Sequence, residues 1–225
     1  MNASDDESVP EPTGGVFASF FRRLPAQRRS RALVEALVIA LEQELARVGD
    51  PMQWTLEPLL ERAGVGIGSF YEYFSNKESL VGALVGRVTQ RNFVFLIDAA
   101  ARMDARTLEA LVGGLASAVA ETYLRNPRSM RLIVHAIARL GLLGVTHSVR
   151  DRFTLQMIHR VRPFYPEQDE GELLVTIRMI CDGAMGMVAA ELDRDDAPDV
   201  VAWTRRFEQF SMALFRARHG EPQTR

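Results

Sequence analysis

Only one cysteine, Cys181, occurs in 225 residues, which excludes an intramolecular disulfide framework. It lies in an apolar run and reads as a small buried hydrophobe. The four histidines are isolated, and no two stand at metal-ligand spacing. There is no glycine-rich phosphate loop, no nucleophile elbow and no paired-carboxylate motif, so neither an enzyme nor a cofactor is expected. No stretch of about eighteen apolar residues runs free of charge, so a membrane span is not expected. The N-terminus is acidic and lacks the basic segment of a secretory signal, which points to the cytoplasm. Alternating strand patterns and fixed-period repeats are missing too. The net charge of −2 does not by itself suggest nucleic acid.

What the chain does have is helical periodicity. Residues 1–24 are acidic and rich in Pro, Ser and Gly at first, and read as a disordered or partly ordered tail. Phe17, Phe20 and Phe21 interrupt it and would form a turn against the first helix. Pro25 can begin a helix. Leu33, Leu37, Leu41 and Leu45 then recur on one face up to Gly49. A second helix follows Thr55, a third follows Gly66, and Asn76 or Ser75 caps a fourth running from Lys77 to about Arg102. Breaks near residues 103–104, 126–127, 144, 163–166 and 193–198 mark out five longer helices. The expectation is an all-α protein of about nine helices.

The stretch 55–77 reads as two short helices around a tight turn at Ala63-Gly64-Val65-Gly66. Gly64 suits a left-handed helix end, and Gly66 stands at the next cap. Ile67, Phe70, Tyr71 and Phe74 crowd one face of the second helix, and Gly68, Ser69, Glu72 and Tyr73 point away. Small residues on the outer face let that helix approach another surface closely. Around it lies a modest basic excess. Five arginines, Arg28 and Arg29 among them, fall between residues 22 and 31.

At Ala63-Gly64-Val65, Gly66, Gly68, Ser69, Phe70, Tyr71, Tyr73, Phe74 and Lys77-Glu78 the chain resembles the DNA-binding signature of the tetracycline-repressor (TetR) family. The likeness spans roughly residues 28–88. It implies a DNA-binding domain over 25–88 and a ligand-binding and dimerisation domain over 89–225. It further implies a homodimeric transcriptional regulator, expected to be a repressor, on a near-palindromic duplex operator, released by a small-molecule effector. Alternatives are a helical adaptor for a protein partner or an all-helical enzyme. The single lysine, Lys77, together with Thr55, Tyr73, Arg28 and Arg29, is the expected phosphate contact. Gly68 and Ser69 are expected at base edges, while Tyr71 and Ile67 lie between core and contact. Two residues depart from the family pattern. Gly66 replaces the usual Ser or Thr cap, and Glu57 stands where some members place a basic residue.

For the larger domain the expectations are broader. His135 and Arg139 share a face of an apolar helix, as do Arg178 and Asp182 on another. With Phe93, Met130 and Met157 they are candidate walls and anchors of a ligand pocket, the bland alternative being structural ion pairs and core. The last two helices carry wide apolar stripes that include Ile177, Ala184, Met187, Trp203, Phe207 and Phe210. Periodicity alone allows these to be own-chain core or a dimer seam; the resemblance favours a four-helix seam. Gly183 and Gly186 would admit a second backbone there.

Overall fold

The computed structural model describes residues 16–51 and 53–224; the tail over 1–15 lies outside them. Among the described residues there are nine α-helices, two short 3-10 turns and no strand. The helices are α1 (Arg28–Val48), α2 (Leu56–Ala63), α3 (Ile67–Tyr73), α4 (Lys77–Arg102), α5 (Leu108–Leu124), α6 (Pro127–Arg139), α7 (Leu143–Val161), α8 (Glu170–Leu192) and α9 (Val200–His219).

Local chemistry sets the boundaries. α1 starts later than Pro25 because Gln27 and Ser30 form a reciprocal capping box, and it stops at Gly49 with φ 79°. Asn76 opens α4 by accepting from Ser79 N at 2.8 Å. Thr107, Asp169 and Asp199 do the same for α5, α8 and α9. The break expected at Gly144 falls earlier, at Gly141. That glycine takes φ 65°, and Leu142 N bonds back to Ile137 O at 2.9 Å, so Gly144 belongs to α7.

Two packed groups share α4. It packs with α1, on which α2 rests, and α2 in turn meets α3; α4 also meets α5, α6 and α7. The expected division at residue 88 therefore falls inside one unbroken helix. α4 and α8 are long and apolar enough to suit a membrane, but both are packed within the bundle. α5 lies along α9, and α8 packs between α7 and α9.

The α1–α2 pair is pinned by a carboxylate. Glu44 is buried and accepts from Arg47 at 2.5 Å and Arg62 at 2.7 Å. The Arg47 hydrogen bond and then Arg62 outweigh burial and hold its pKa down at about 2.

The N-terminal residues differ from expectation in where they pack. A 3-10 turn over Val16–Phe20 packs chiefly on α4 and also contacts α7. The Phe20 ring fills a notch at Gly82 of α4, where an added methyl would stand 2.4 Å from it. The Phe21 ring lies tilted against Phe74, just after α3, with centroids 5.2 Å apart.

Candidate functional site

α2 and α3 meet at the expected tight turn. Gly64 takes φ 65°, and Val65 N returns to Leu60 O at 3.0 Å, closing α2. Gly66, extended at φ −73°, caps α3 with its backbone alone. Open space surrounds the Cα of both Gly66 and Gly68, so the entrance of α3 is bare backbone facing outward.

The buried face of α3 is turned relative to the expectation. Phe70 and Phe74 are fully buried, but Tyr73 is the third member of that face, at 7% exposed, and does not stand half exposed as predicted. Tyr71 (44%) and Ile67 (56%) face outward instead. In angle, Tyr73 and Phe74 flank Phe70 on either side, whereas Tyr71 lies 100° away. The choice between these phases is made by the N-terminal segment. Phe21 covers Phe74, and Arg22 N bonds Tyr73 O at 2.8 Å. Arg23 pairs with Glu72 at 2.6 Å, so the one carboxylate of α3 is neutralised. Periodicity within α3 could not reveal this, because the deciding contacts come from residues about fifty positions earlier.

Beside α3 two helix N-termini converge. Thr55 is the N-cap of α2, exposed, with its hydroxyl making no cap bond. Lys77 opens α4, and its ammonium donates to Trp54 O while lying 4.6 Å over the Trp54 ring. The lysine therefore stands against the residue preceding Thr55, and the start of α4 is tied to the start of α2. Helix N-termini carry partial positive charge, and a cation between them completes an anion-holding surface. Arg28 and Arg29 are exposed at the start of α1; Glu57, Gly68 and Glu72 are exposed and Ser69 is half-buried.

Residues 53–84 match the family model for bacterial regulatory proteins of the tetR family. This is a TetR-family helix-turn-helix. The fold agrees along the remaining length. A TetR-family protein from Mesorhizobium loti MAFF303099 superposes over 85% of this chain and 98% of its own, with TM-score 0.61 and 14% identity. A TetR transcriptional regulator from Rhodococcus sp. RHA1 covers 83% of this chain and 98% of its own, with TM-score 0.52 and 19% identity. No curated protein matches the sequence. The segment 53–84 is thus similar to the DNA-binding helix-turn-helix of that family, and the fold is an N-terminal helix-turn-helix followed by a C-terminal helical domain.

The C-terminal helices enclose a cavity of about 570 Å³. Phe93, Met130, Met157 and Asp182 line it. His135 and Arg139 do not. They lie on the outer face of α6, His135 pairing with Asp193 at 3.5 Å and Arg139 with Asp50 at 3.4 Å. Their four-residue spacing gave them a common face, but that face is the solvent side of α6 because Met130, Ile133 and Ile137 take the inner one. The pairing of Arg178 with Asp182 is likewise not formed: Arg178 reaches Asp151 at 3.3 Å, and Asp182 accepts from Arg150 at 2.7 Å.

The polar groups that the sequence reading missed are Asn92, Tyr123 and Arg150. Asn92 of α4 and Tyr123 of α5 both line the cavity, and the Tyr123 hydroxyl is pushed up to about 12, chiefly by burial. Cys181 also lines the cavity, and burial pushes its thiol up to about 12. The available signal for Asn92 was an amide placed between Val88 and Leu96 on an apolar stripe.

Most of the expected dimer seam is used up inside the chain. Ile177, Ala184, Trp203 and Phe207 are buried in their own bundle, with Trp203 and Phe207 stacked at 5.3 Å. α5 packs along α9 and takes the apolar face that was assigned to a second copy. Met187 is half-buried and Phe210 partly exposed. Gly183 admits this chain's own Phe210 ring, which a methyl there would meet at 2.5 Å, while Gly186 faces open space. The apolar residues left outside on α8 are Val175, Met179 and Met185.

Proposed function

We propose that the chain is a homodimeric repressor that grips a near-palindromic duplex and releases it when a small molecule enters the C-terminal cavity. Residues 25–88 form the DNA-binding domain in this reading, and 89–225 the ligand-binding and dimerisation domain. The observation that carries it is the outward face of α3. Ile67, Gly68 and Tyr71 stand free of the core beside the paired N-termini of α2 and α4.

Gly68 and Ser69 allow the backbone close to base edges, and Ile67 presents an apolar group suited to a thymine methyl. Tyr71 takes the phosphate role expected of Tyr73, because its ring and not that of Tyr73 reaches solvent. Thr55 and Lys77 hold an adjoining phosphate, and Arg28 and Arg29 extend the basic rim. Two copies meet through the outer strip of α8, at Val175 and Met179, together with Phe210 of α9.

Selection of bound duplexes from a random pool at low salt tests the reading. The expected product is an inverted repeat whose half-sites lie about 34–36 Å apart or at a multiple of that spacing. Recovery of sequences with no two-fold relation would refute it.

A further inference from the structure

The cavity's charge balance says what kind of molecule it accepts. Its depth is apolar, bounded by Leu96, Leu108, Leu111 and Phe215 among others. Its mouth lies between the start of α7 and the middle of α8, where the lining residues Leu143, His147, Asp182, Met185 and Gly186 are exposed. Among the described lining residues one guanidinium stands on the wall, that of Arg150, and it is paired with two carboxylates. It donates to Asp151 at 2.8 Å and to Asp182 at 2.7 Å. Arg178 completes the group through Asp151. Two arginines and two carboxylates leave this cluster without net charge.

Apart from the exposed His147 imidazole at the mouth, the remaining polar groups of the wall are neutral. Thr89 and Thr146 each donate to a carbonyl of their own helix, at 2.8 Å in both cases. The Asn92 amide and the Tyr123 hydroxyl both line the deep α4–α5 wall, where each has bonding capacity to offer a ligand. Ser211 on the α9 wall is fully buried, and its hydroxyl has no hydrogen-bond partner among the described residues. A buried polar atom left unpaired is costly, and a ligand group that bonds it recovers the loss.

We infer that this cavity binds an uncharged, largely apolar molecule carrying a hydroxyl or carbonyl group, and that it rejects carboxylates of the same size. This rests on the cavity being the effector site proposed above. A cavity of this volume falls within the usual range for pockets that enclose drug-sized ligands. A carboxylate entering past the mouth would have to shed its water with no free guanidinium or ammonium in the depth to meet it, and that penalty is large. An alcohol sheds less and finds the Asn92–Tyr123 pair or Ser211. The carboxylates of Asp151 and Asp182 do more than hold Arg150 in place. They occupy the one guanidinium on the wall that an anionic ligand would need.

The test is calorimetry of the full chain at pH 7.5 with two probes of equal length, 1-decanol and decanoate, alongside thermal melting. Decanol should bind at least about tenfold more tightly and raise the melting temperature more. Tyr123→Phe should weaken decanol by about fivefold, one hydrogen bond's worth. Asp182→Asn should strengthen decanoate by about tenfold while decanol binding stays level, and level decanol binding also certifies the fold. Decanoate binding as well as decanol in the unmodified chain overturns the inference, as does failure of both probes to bind. Decanol that binds but leaves the selected duplex in place sinks ligand release instead, and the ligand class stands.

Discussion

Lys77 serves two surfaces with one side chain. Its ammonium lies over the Trp54 ring and donates to the Trp54 carbonyl, so the start of α4 is tied to the start of α2. The same ammonium is the single lysine charge on the proposed DNA face. Lys77→Ala should therefore weaken every duplex by a similar factor and lower the salt slope of binding by about one unit, without changing which sequence is selected. Binding measured against salt concentration, with melting temperature as a control for loosening of α2, decides this. An unchanged slope would remove Lys77 from the phosphate contacts. Much of this surface was legible residue by residue: Gly64, Gly66, Lys77 and Asn76 announce themselves through backbone and capping chemistry that is local. Tyr71 and Tyr73 exchanged places because a helix of 7 residues has no phase of its own. Its rotation is set by Phe21 and Arg22, contacts too distant in sequence for periodicity to register.

At the scale of elements, α1 and α2 are joined by more than apolar packing. Glu44 carries its charge in a buried position because Arg47 and Arg62 both donate to it. Its pKa is lowered from the ordinary carboxylate value, so its contribution to stability is complete above that value. The contribution fades as pH falls from about 4.3 towards 2. Glu44→Gln should accordingly melt lower than the unmodified chain at pH 7, and the gap should narrow by pH 3. A gap of constant size across that range would show that shape, and not charge, holds the pair. Helix limits followed a similar logic of local and distant causes. α4 begins and ends where its cap and composition said it would, whereas α7 begins earlier than Gly144 suggested because Gly141 is the residue that reverses the chain. His135 and Arg139 were assigned to one face correctly, and the error lay in which side of α6 that face meets.

At the scale of the whole molecule, assembly must use what the monomer leaves uncovered. Trp203 and Phe207 cannot serve a partner while they fill the chain's own core, so the burden falls on Val175, Met179 and Phe210. Met179→Glu places a charge in the middle of that strip. It should shift the sedimentation mass from twice 25.2 kDa to that single value and reduce operator affinity in step. A dimer that persists with Met179→Glu would locate the seam elsewhere. This face was readable only in part, because apolar periodicity reports that a stripe will be buried and not which chain buries it.

α4 also has the properties of a beam resting on a pivot. Phe20, lodged at Gly82, stands five residues from Lys77 and ten from Asn92. At the α-helical rise those arms measure about 7.5 and 15 Å. A rocking of the rod about that notch would carry the two ends in opposite senses, and the Lys77 end would travel half as far as the cavity end. The gearing is set by where the glycine sits. Moving the notch one turn towards Asn92 would bring the two strokes nearer to equality, with no change to the cavity or to the DNA face.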